Sequence, residues 1–222
     1  PIRNQSGIFE ILVQPMRYWL EFVSSKIIAD RPPVLSTCWF IESRAFKQLG
    51  QMNGLTRAIT PEEHFAKELA KTNKYAFLRS NSQIDISTKK SLNDQIATAL
   101  RTRYPLFKKQ PEYIFLASMF SLVFMIGPFL IVLLGWISLP YWFIILAVVT
   151  SILLASSHVL ILRASCKTNW WVSLVNFPLV IAIEVSLINI SMYQYEVGNI
   201  SWKGRNICLP VMDITPNLPK ID

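Results

Sequence analysis

Cysteine and histidine are scarce in this chain, which narrows the sites that it can form. Its 222 residues include three cysteines and two histidines. Cys38, Cys166 and Cys208 are an odd and widely spaced set, which fits neither a disulfide framework nor the ligand spacing of a zinc site. We therefore expect three free thiols and no metal held by this chain.

The sequence also lacks an initiator methionine and a signal-peptide pattern, since it begins at Pro1. It contains neither an internal repeat nor a low-complexity segment. We expect it to be part of a longer protein.

The net positive charge of the chain comes entirely from its first half. The formal net charge is +8; residues 1–111 hold 17 Lys+Arg and 9 Asp+Glu, whereas residues 112–222 hold 5 of each. A basic module joined to a neutral, apolar one indicates a domain that lies against the anionic cytoplasmic leaflet of a membrane. No nucleic-acid recognition motif accompanies this charge, so we expect no nucleic-acid partner.

Three apolar runs follow the basic half, at residues 113–134, 141–162 and 170–190. Each has about the 20 residues that a helix needs to cross a bilayer. We predict an integral membrane protein (inner or plasma membrane if bacterial) with transmembrane helices in 112–192 and a juxtamembrane tail in 193–222. Glu184 interrupts the third run, where a carboxylate is costly; with no ionisable partner on its own helix, we expect it to face the other helices in protonated form.

The basic residues of the short connections predict the orientation. Lys108, Lys109, Arg163 and Lys167 place the front domain in the cytoplasm. Three full crossings would leave Lys203 and Arg205 outside, so either the third segment is re-entrant or interfacial, or the tail departs from the rule.

The front half, residues 1–111, shows a pattern of short helices and strands. Residues 34–41, 75–79 and 83–86 are predicted strands, and residues 42–49, 60–72 and 90–104 are predicted helices, which favours an α/β domain. Residues 8–28 form an amphipathic helix, which lies in the membrane interface or packs in the core of this half.

Four motifs occur in order along the chain. They are Ser36–Phe46 followed by Gly50, Pro61–Phe65, Leu100–Tyr104 and Gly198–Arg205. Together they resemble those of membrane-bound glycosyltransferases of family 2, especially the ceramide glucosyltransferase and hopanoid-associated branches. The resemblance implies that residues 1–111 are the C-terminal part of a GT-A-like, Rossmann-like catalytic domain in the cytoplasm. It also implies inverting transfer of a sugar from a nucleotide-sugar donor to a lipid or lipid-linked acceptor.

The resemblance assigns Glu63 as the catalytic base, with Glu62, Cys38 and Trp39 in the substrate site. An inverting transfer needs a carboxylate near the acceptor hydroxyl. The family has Asp where this chain has Glu63, and Glu63 also fits a capping box with Thr60 at the start of a helix. Both interpretations stay open.

The third and fourth motifs supply cations and aromatic rings. Arg103 is expected to contact the diphosphate and Tyr104 to stack on the acceptor; the alternative is a basic helix end at the membrane surface. Trp202, Lys203 and Arg205 are expected to face the membrane or lipid headgroups, or to serve as interfacial anchors.

The donor half of such an enzyme is missing from this sequence. The family binds a divalent metal, Mg²⁺ or Mn²⁺, through an Asp-x-Asp motif, and none occurs here. This chain alone should therefore bind nucleotide sugar poorly. Two other functions remain possible: a non-catalytic membrane module, in which Ser36, Glu63 and Leu100 mark lost chemistry, and a polysaccharide synthase.

Overall fold

The computed structural model describes residues 3–4, 12–13, 16–21, 32–34, 39–53, 60–78, 91–167, 170–202 and 205–208. This part of the chain is mainly helical. Its helices are α1 (Ser43–Gln48), α2 (Pro61–Lys71), α3 (Leu92–Leu106), α4 (Pro111–Phe120), α5 (Gly127–Leu134), α6 (Tyr141–Ser165) and α7 (Trp170–Glu196). Residues 12–13 and 16–21 are also helical.

The prediction of an α/β, Rossmann-like domain is wrong. Extended pairing among the described residues is limited to two-residue strands: β1 (Arg3–Asn4) lies parallel to β2 (Cys166–Lys167), and β3 (Ser201–Trp202) antiparallel to β4 (Arg205–Asn206). The predicted strands are absent at residues 34, 39–41 and 75–78, whereas residues 35–38 and 83–86 lie outside the described part. A short apolar run forms a strand only beside a pairing partner. Here the two segments are linked by a side chain instead, since the Tyr75 hydroxyl donates to the Pro33 carbonyl at 2.6 Å.

Three helices are long and apolar enough to cross a membrane: Pro111–Ile137, Tyr141–Arg163 and Asn176–Glu196. They indicate an integral membrane protein, as predicted. The first span is continuous through α4, a π-helical stretch (Ser121–Ile126), α5 and a 3₁₀ turn (Gly135–Ile137). Pro128 follows the π-helical stretch and lacks the amide proton that would continue regular α-helical bonding there.

Helix α7 is the centre of the packing. On one side, Phe177 and Ile181 pack against Met16 and Trp19 of the N-terminal helical segment. Nearer its end, Ile188 packs with residues of α3 and of the first span, which are Tyr104, Phe107 and Ile114. The described part of the predicted helix at 8–28 therefore packs against the third membrane segment.

The end of α3 is joined to α7 by hydrogen bonds, one of which replaces a bond that a proline in α3 cannot make. Pro105 has no N–H to donate to the Arg101 carbonyl. The Tyr195 hydroxyl donates to that carbonyl instead, at 2.7 Å. One turn earlier on α7, Ser191 accepts from the Tyr104 N–H at 3.1 Å and donates to the Leu100 carbonyl. The last turn of α3 is thus completed by side chains of α7.

Four helices, α1, α2, α3 and α7, end in the same kind of turn. In each, two successive N–H groups bond back to carbonyls of the last helical turn, and the first donor residue is left-handed. Glycine or asparagine is the usual residue there, because a Cβ atom is disfavoured at positive φ. The four positions are Gly50 (φ 79°), Asn73 (φ 55°), Lys108 (φ 57°) and Gly198 (φ 74°). Lys108 departs from the pattern.

Candidate functional site

Glu63 and Arg103, predicted from separate motifs, line the same small cavity. It has a volume of about 20 Å³ and lies where α2 and α3 meet the N-terminal helical segment. Thr60 and Thr102 also line it. A space of this size holds about one water molecule. The fold thus brings Glu63, a carboxylate residue, and Arg103, a guanidinium residue, to the same small cavity.

The same cavity has two further charged residues, Arg17 and Glu21, from the N-terminal helical segment. Glu21 is buried, and its Oε2 accepts the Val34 N–H at 3.2 Å. With Glu63 and Arg103, the lining carries two cations and two carboxylates.

Arg103 forms a buried ion pair with Glu184 of α7. The two residues are 3% and 4% exposed. Arg103 Nη2 donates to Glu184 Oε2 at 3.0 Å, and Nε lies 2.5 Å from Oε1, within ion-pair distance but not aligned as a hydrogen bond. Glu184 thus faces another helix, as expected, and α3 supplies an ionisable partner there that was not predicted from the sequence. A diphosphate would have to share or displace this carboxylate to reach the guanidinium.

The start of α2 bears on the two interpretations of Glu63. The Glu63 N–H donates to the Thr60 carbonyl at 3.1 Å, but the Thr60 side chain makes no capping hydrogen bond. The threonine half of the predicted capping box is therefore not formed. The neighbouring Glu62 is buried. The roles predicted for both glutamates remain predictions.

Trp39 lies against α2 in an aromatic group. Its ring stacks on Phe65 with centroids 5.8 Å apart, and Phe46 of α1 lies 5.4 Å from Phe65 on another side. Trp39 keeps more than a third of its surface exposed. Cys38 lies outside the described residues.

Tyr104 lies inside the bundle. It is 1% exposed, its ring centroid is 5.6 Å from that of Tyr195, and its hydroxyl donates to the Glu196 carboxylate. Burial, and then the bond to Glu196, raise the pKa of Tyr104 above its ordinary value. In this conformation the ring is not available to stack on an acceptor.

The C-terminal motif forms a hairpin after α7. Ser201 pairs with Asn206, and Trp202 pairs with Arg205. The Asn206 side chain donates to the Gly198 carbonyl at 2.8 Å, which holds the hairpin to the helix end. Lys203 lies outside the described residues, as do the side chains of Trp202 and Arg205.

A much larger cleft, of about 870 Å³, lies on the other side of the Arg103–Glu184 pair. Its walls are the N-terminal helical segment, the first span and α7, and its lining is mostly apolar. Glu184 lines this cleft, Arg103 lines the small cavity, and Leu20 lines both. The ion pair therefore separates a polar cavity from an apolar cleft. The cleft was not predicted from the sequence, because its walls come from three distant parts of the chain.

No group of three or more metal-ligating side chains occurs within the residues that the structure describes. The predicted Mg²⁺ or Mn²⁺ was assigned to a motif outside this sequence, so that expectation stays a prediction. No protein-family model, curated protein or solved structure matches the chain. The likeness to glycosyltransferases of family 2 therefore depends on the four sequence motifs.

Proposed function

We propose that this chain is the acceptor-side, membrane-embedded portion of an inverting glycosyltransferase, which transfers a sugar from a nucleotide donor to a lipid at the cytoplasmic face. The observation that supports this proposal is the shared cavity of Glu63 and Arg103. Glu63 and Arg103 come from two motifs with complementary predicted chemistry, and both residues line this cavity. The donor half, with its divalent metal, belongs to sequence outside this chain.

In this proposal the two side chains act on opposite ends of the transfer. Glu63 removes the proton from the acceptor hydroxyl as its oxygen attacks the anomeric carbon. Arg103 stabilises the negative charge on the departing diphosphate. Glu184 holds the guanidinium in place before the donor arrives, and the diphosphate then shares the guanidinium with it.

The burial of Arg103 and Tyr104 favours a second function, that of a non-catalytic membrane module. Both side chains are already engaged with α7, Arg103 through Glu184 and Tyr104 through Glu196. In such a module the third motif would serve to join α3 to the membrane helices.

The test uses the full-length protein in native membranes. Release of nucleoside diphosphate is measured for a panel of nucleotide sugars, with and without added lipid extract. Lipid-dependent release from one donor supports the glycosyltransferase, and no release from any donor supports the non-catalytic module.

Glu63→Gln then tests the base. We expect loss of transfer with donor binding intact, because the amide cannot accept the hydroxyl proton. Glu42→Gln is the matched control, since Glu42 is an exposed residue ahead of α1 that makes no side-chain capping bond. Unchanged turnover in Glu63→Gln would exclude Glu63 as the base.

A further inference from the structure

The large cleft has the dimensions of a lipid chain in one leaflet. Its volume of about 870 Å³ falls in the range of roughly 300–1,000 Å³ typical of ligand sites. On the first span its lining extends from Tyr113 to Met125. At about 1.5 Å per residue this is roughly 18 Å, close to half of the 30 Å hydrocarbon core.

The cleft opens sideways, towards the space that lipid occupies. Leu116 and Phe120 line it and are each more than half exposed. Its lining continues along the first span through Ser121, Val123, Phe124 and Met125 of the π-helical stretch. A π-helical stretch changes the register of the side chains that follow, which is why such stretches often occur at functional sites.

Lys108 places a positive charge at the end of the cleft nearest the start of the first span. Among the described lining residues the ionisable groups apart from Tyr113 are Lys108 and Glu184, and Glu184 is paired with Arg103. Lys108 is exposed and lies three residues before the first span begins. Its neighbour Lys109 is turned elsewhere, with its ammonium 5.3 Å from the centre of the Tyr195 ring. The lining is therefore suited to an anionic headgroup above an apolar chain.

We propose that the cleft binds one acyl chain of an anionic phospholipid from the surrounding bilayer, with the phosphate held by Lys108. The bound lipid is not the sugar acceptor, and its binding needs neither Glu63 nor a nucleotide sugar. The site therefore goes beyond the proposed function and can be tested without it.

The experiment uses the purified chain in nanodiscs that contain phosphatidylglycerol with a photoreactive diazirine near the end of one acyl chain. Parallel discs carry the same probe on phosphatidylcholine. After illumination, cross-linked peptides are identified by mass spectrometry. We expect cross-links concentrated at residues 116–125, with a preference for phosphatidylglycerol. Equal labelling of all three spans by both probes would show that the cleft is not a specific lipid site.

Lys108→Gly tests the headgroup contact. We expect cross-linking by phosphatidylglycerol to fall about fivefold, the factor that one lysine contributes near an anionic lipid surface, to the level of phosphatidylcholine. Thermal stability should be unchanged or higher, because glycine suits the left-handed backbone.

Lys108→Arg should retain the preference for phosphatidylglycerol. Lys74→Gly is the control, since it removes an exposed lysine next to the equivalent turn after α2. A preference for phosphatidylglycerol that survives Lys108→Gly would overturn the role of Lys108.

Leu116→Trp tests the acyl chain site by filling the cleft. We expect cross-linking at residues 116–125 to fall for both probes. Leu153→Trp is the matched control, because Leu153 is 65% exposed on the second span, compared with 60% for Leu116, and does not line the cleft. Equal effects of the two substitutions would contradict a specific site.

Discussion

Arg103 and Glu184 are both buried, so bulk water cannot take the place of either side chain if the other is left alone. Removing one member of a buried ion pair leaves the other charge uncompensated, at a cost of about 3–5 kcal/mol. We therefore expect Glu184→Ala to destabilise the protein strongly. Adding Arg103→Met should recover part of the loss, since the stranded charge is then gone.

Thermal unfolding of the detergent-solubilised protein measures this effect. Ser186→Ala is the control on the same helix, because Ser186 is exposed and bonds only to the carbonyl of Ala182 within α7. A double variant at least as unstable as Glu184→Ala would show that the pair does not act as a unit.

Tyr104 gives the protein a dependence on alkaline pH. Burial and the bond to Glu196 raise the pKa of Tyr104 in the folded state. The neutral hydroxyl is favoured by folding, so the stability that it contributes is complete below the unfolded pKa of about 10. It is lost as the pH rises through the higher folded pKa. We expect stability to fall above about pH 10, and less so in Tyr104→Phe.

Unfolding temperatures between pH 8 and pH 11 measure this dependence. Tyr193→Phe is the control, because Tyr193 is exposed and lies on α7, the helix that carries Glu196. Identical alkaline profiles for the wild type and Tyr104→Phe would contradict the prediction.

The sequence identified Glu63, Arg103 and Glu184 as residues that needed an explanation, but not all of their contacts. A carboxylate in an apolar run indicates a partner somewhere. Arg103 lies 81 positions away from Glu184, and such a pairing depends on how α3 crosses α7. No local pattern encodes that crossing.

At the scale of secondary structure, the effects of Pro105 and Tyr195 on stability should depend on each other, because both residues determine how the Arg101 carbonyl is bonded. Tyr195→Phe leaves the Arg101 carbonyl without its donor, which costs about 1–3 kcal/mol for a buried group. In a Pro105→Ala background the alanine N–H can bond to that carbonyl within the helix. We therefore expect Tyr195→Phe to cost less in that background than in the wild type.

A double-mutant cycle on unfolding temperature measures the coupling. Tyr193→Phe, combined with Pro105→Ala, serves as the control and should be additive. Additive effects of Tyr195→Phe and Pro105→Ala would show that Tyr195 does not substitute for the missing amide.

Helices were predictable where their signals are local. Pro61 starts α2, Ser91 caps α3 by accepting the Asp94 N–H at 3.2 Å, and the apolar runs match the three long spans. The strands were not predictable, because a strand depends on a partner elsewhere in the chain. The apolar run at 34–41 resembled a buried strand, yet its described residues are not part of a sheet.

At the scale of the whole molecule, contacts place the end of α7 beside the start of the first span. Tyr104 reaches Glu196, and Lys109 lies over Tyr195. We therefore expect the C-terminal hairpin to lie on the same side of the membrane as Gln110, with the turn at Ser138 on the other side. Three full crossings would separate the two ends, so this arrangement requires that the third apolar helix is re-entrant and does not cross the membrane completely. From the basic residues around the start of the first span, we predict that this shared side is the cytoplasmic one.

Single cysteines test this arrangement in a background whose native cysteines are replaced by serine. An impermeant maleimide added to intact cells should label Ser138→Cys, but not Gln110→Cys or Asn206→Cys. All three positions are exposed. Labelling of Asn206→Cys from outside would contradict the shared side.

The division into a basic and an apolar half predicted membrane attachment from composition alone. The cleft could not be predicted in this way, because its walls come from residues near 16–20, 107–125 and 181–188. Each of these stretches is an ordinary apolar segment by itself. Only their packing leaves a space the size of an acyl chain.

The proline near the end of α3 also has a consequence for the order of assembly. The Arg101 carbonyl is synthesised 94 residues before the Tyr195 hydroxyl that satisfies it. At about 5–20 residues per second, roughly 5–20 s pass before that donor exists. Until then water must bond to the carbonyl, which keeps this end of α3 at the aqueous surface while the first two spans insert. Arrival of the third apolar helix closes the end of α3, so the basic half of the chain is completed by a membrane segment that is made after it.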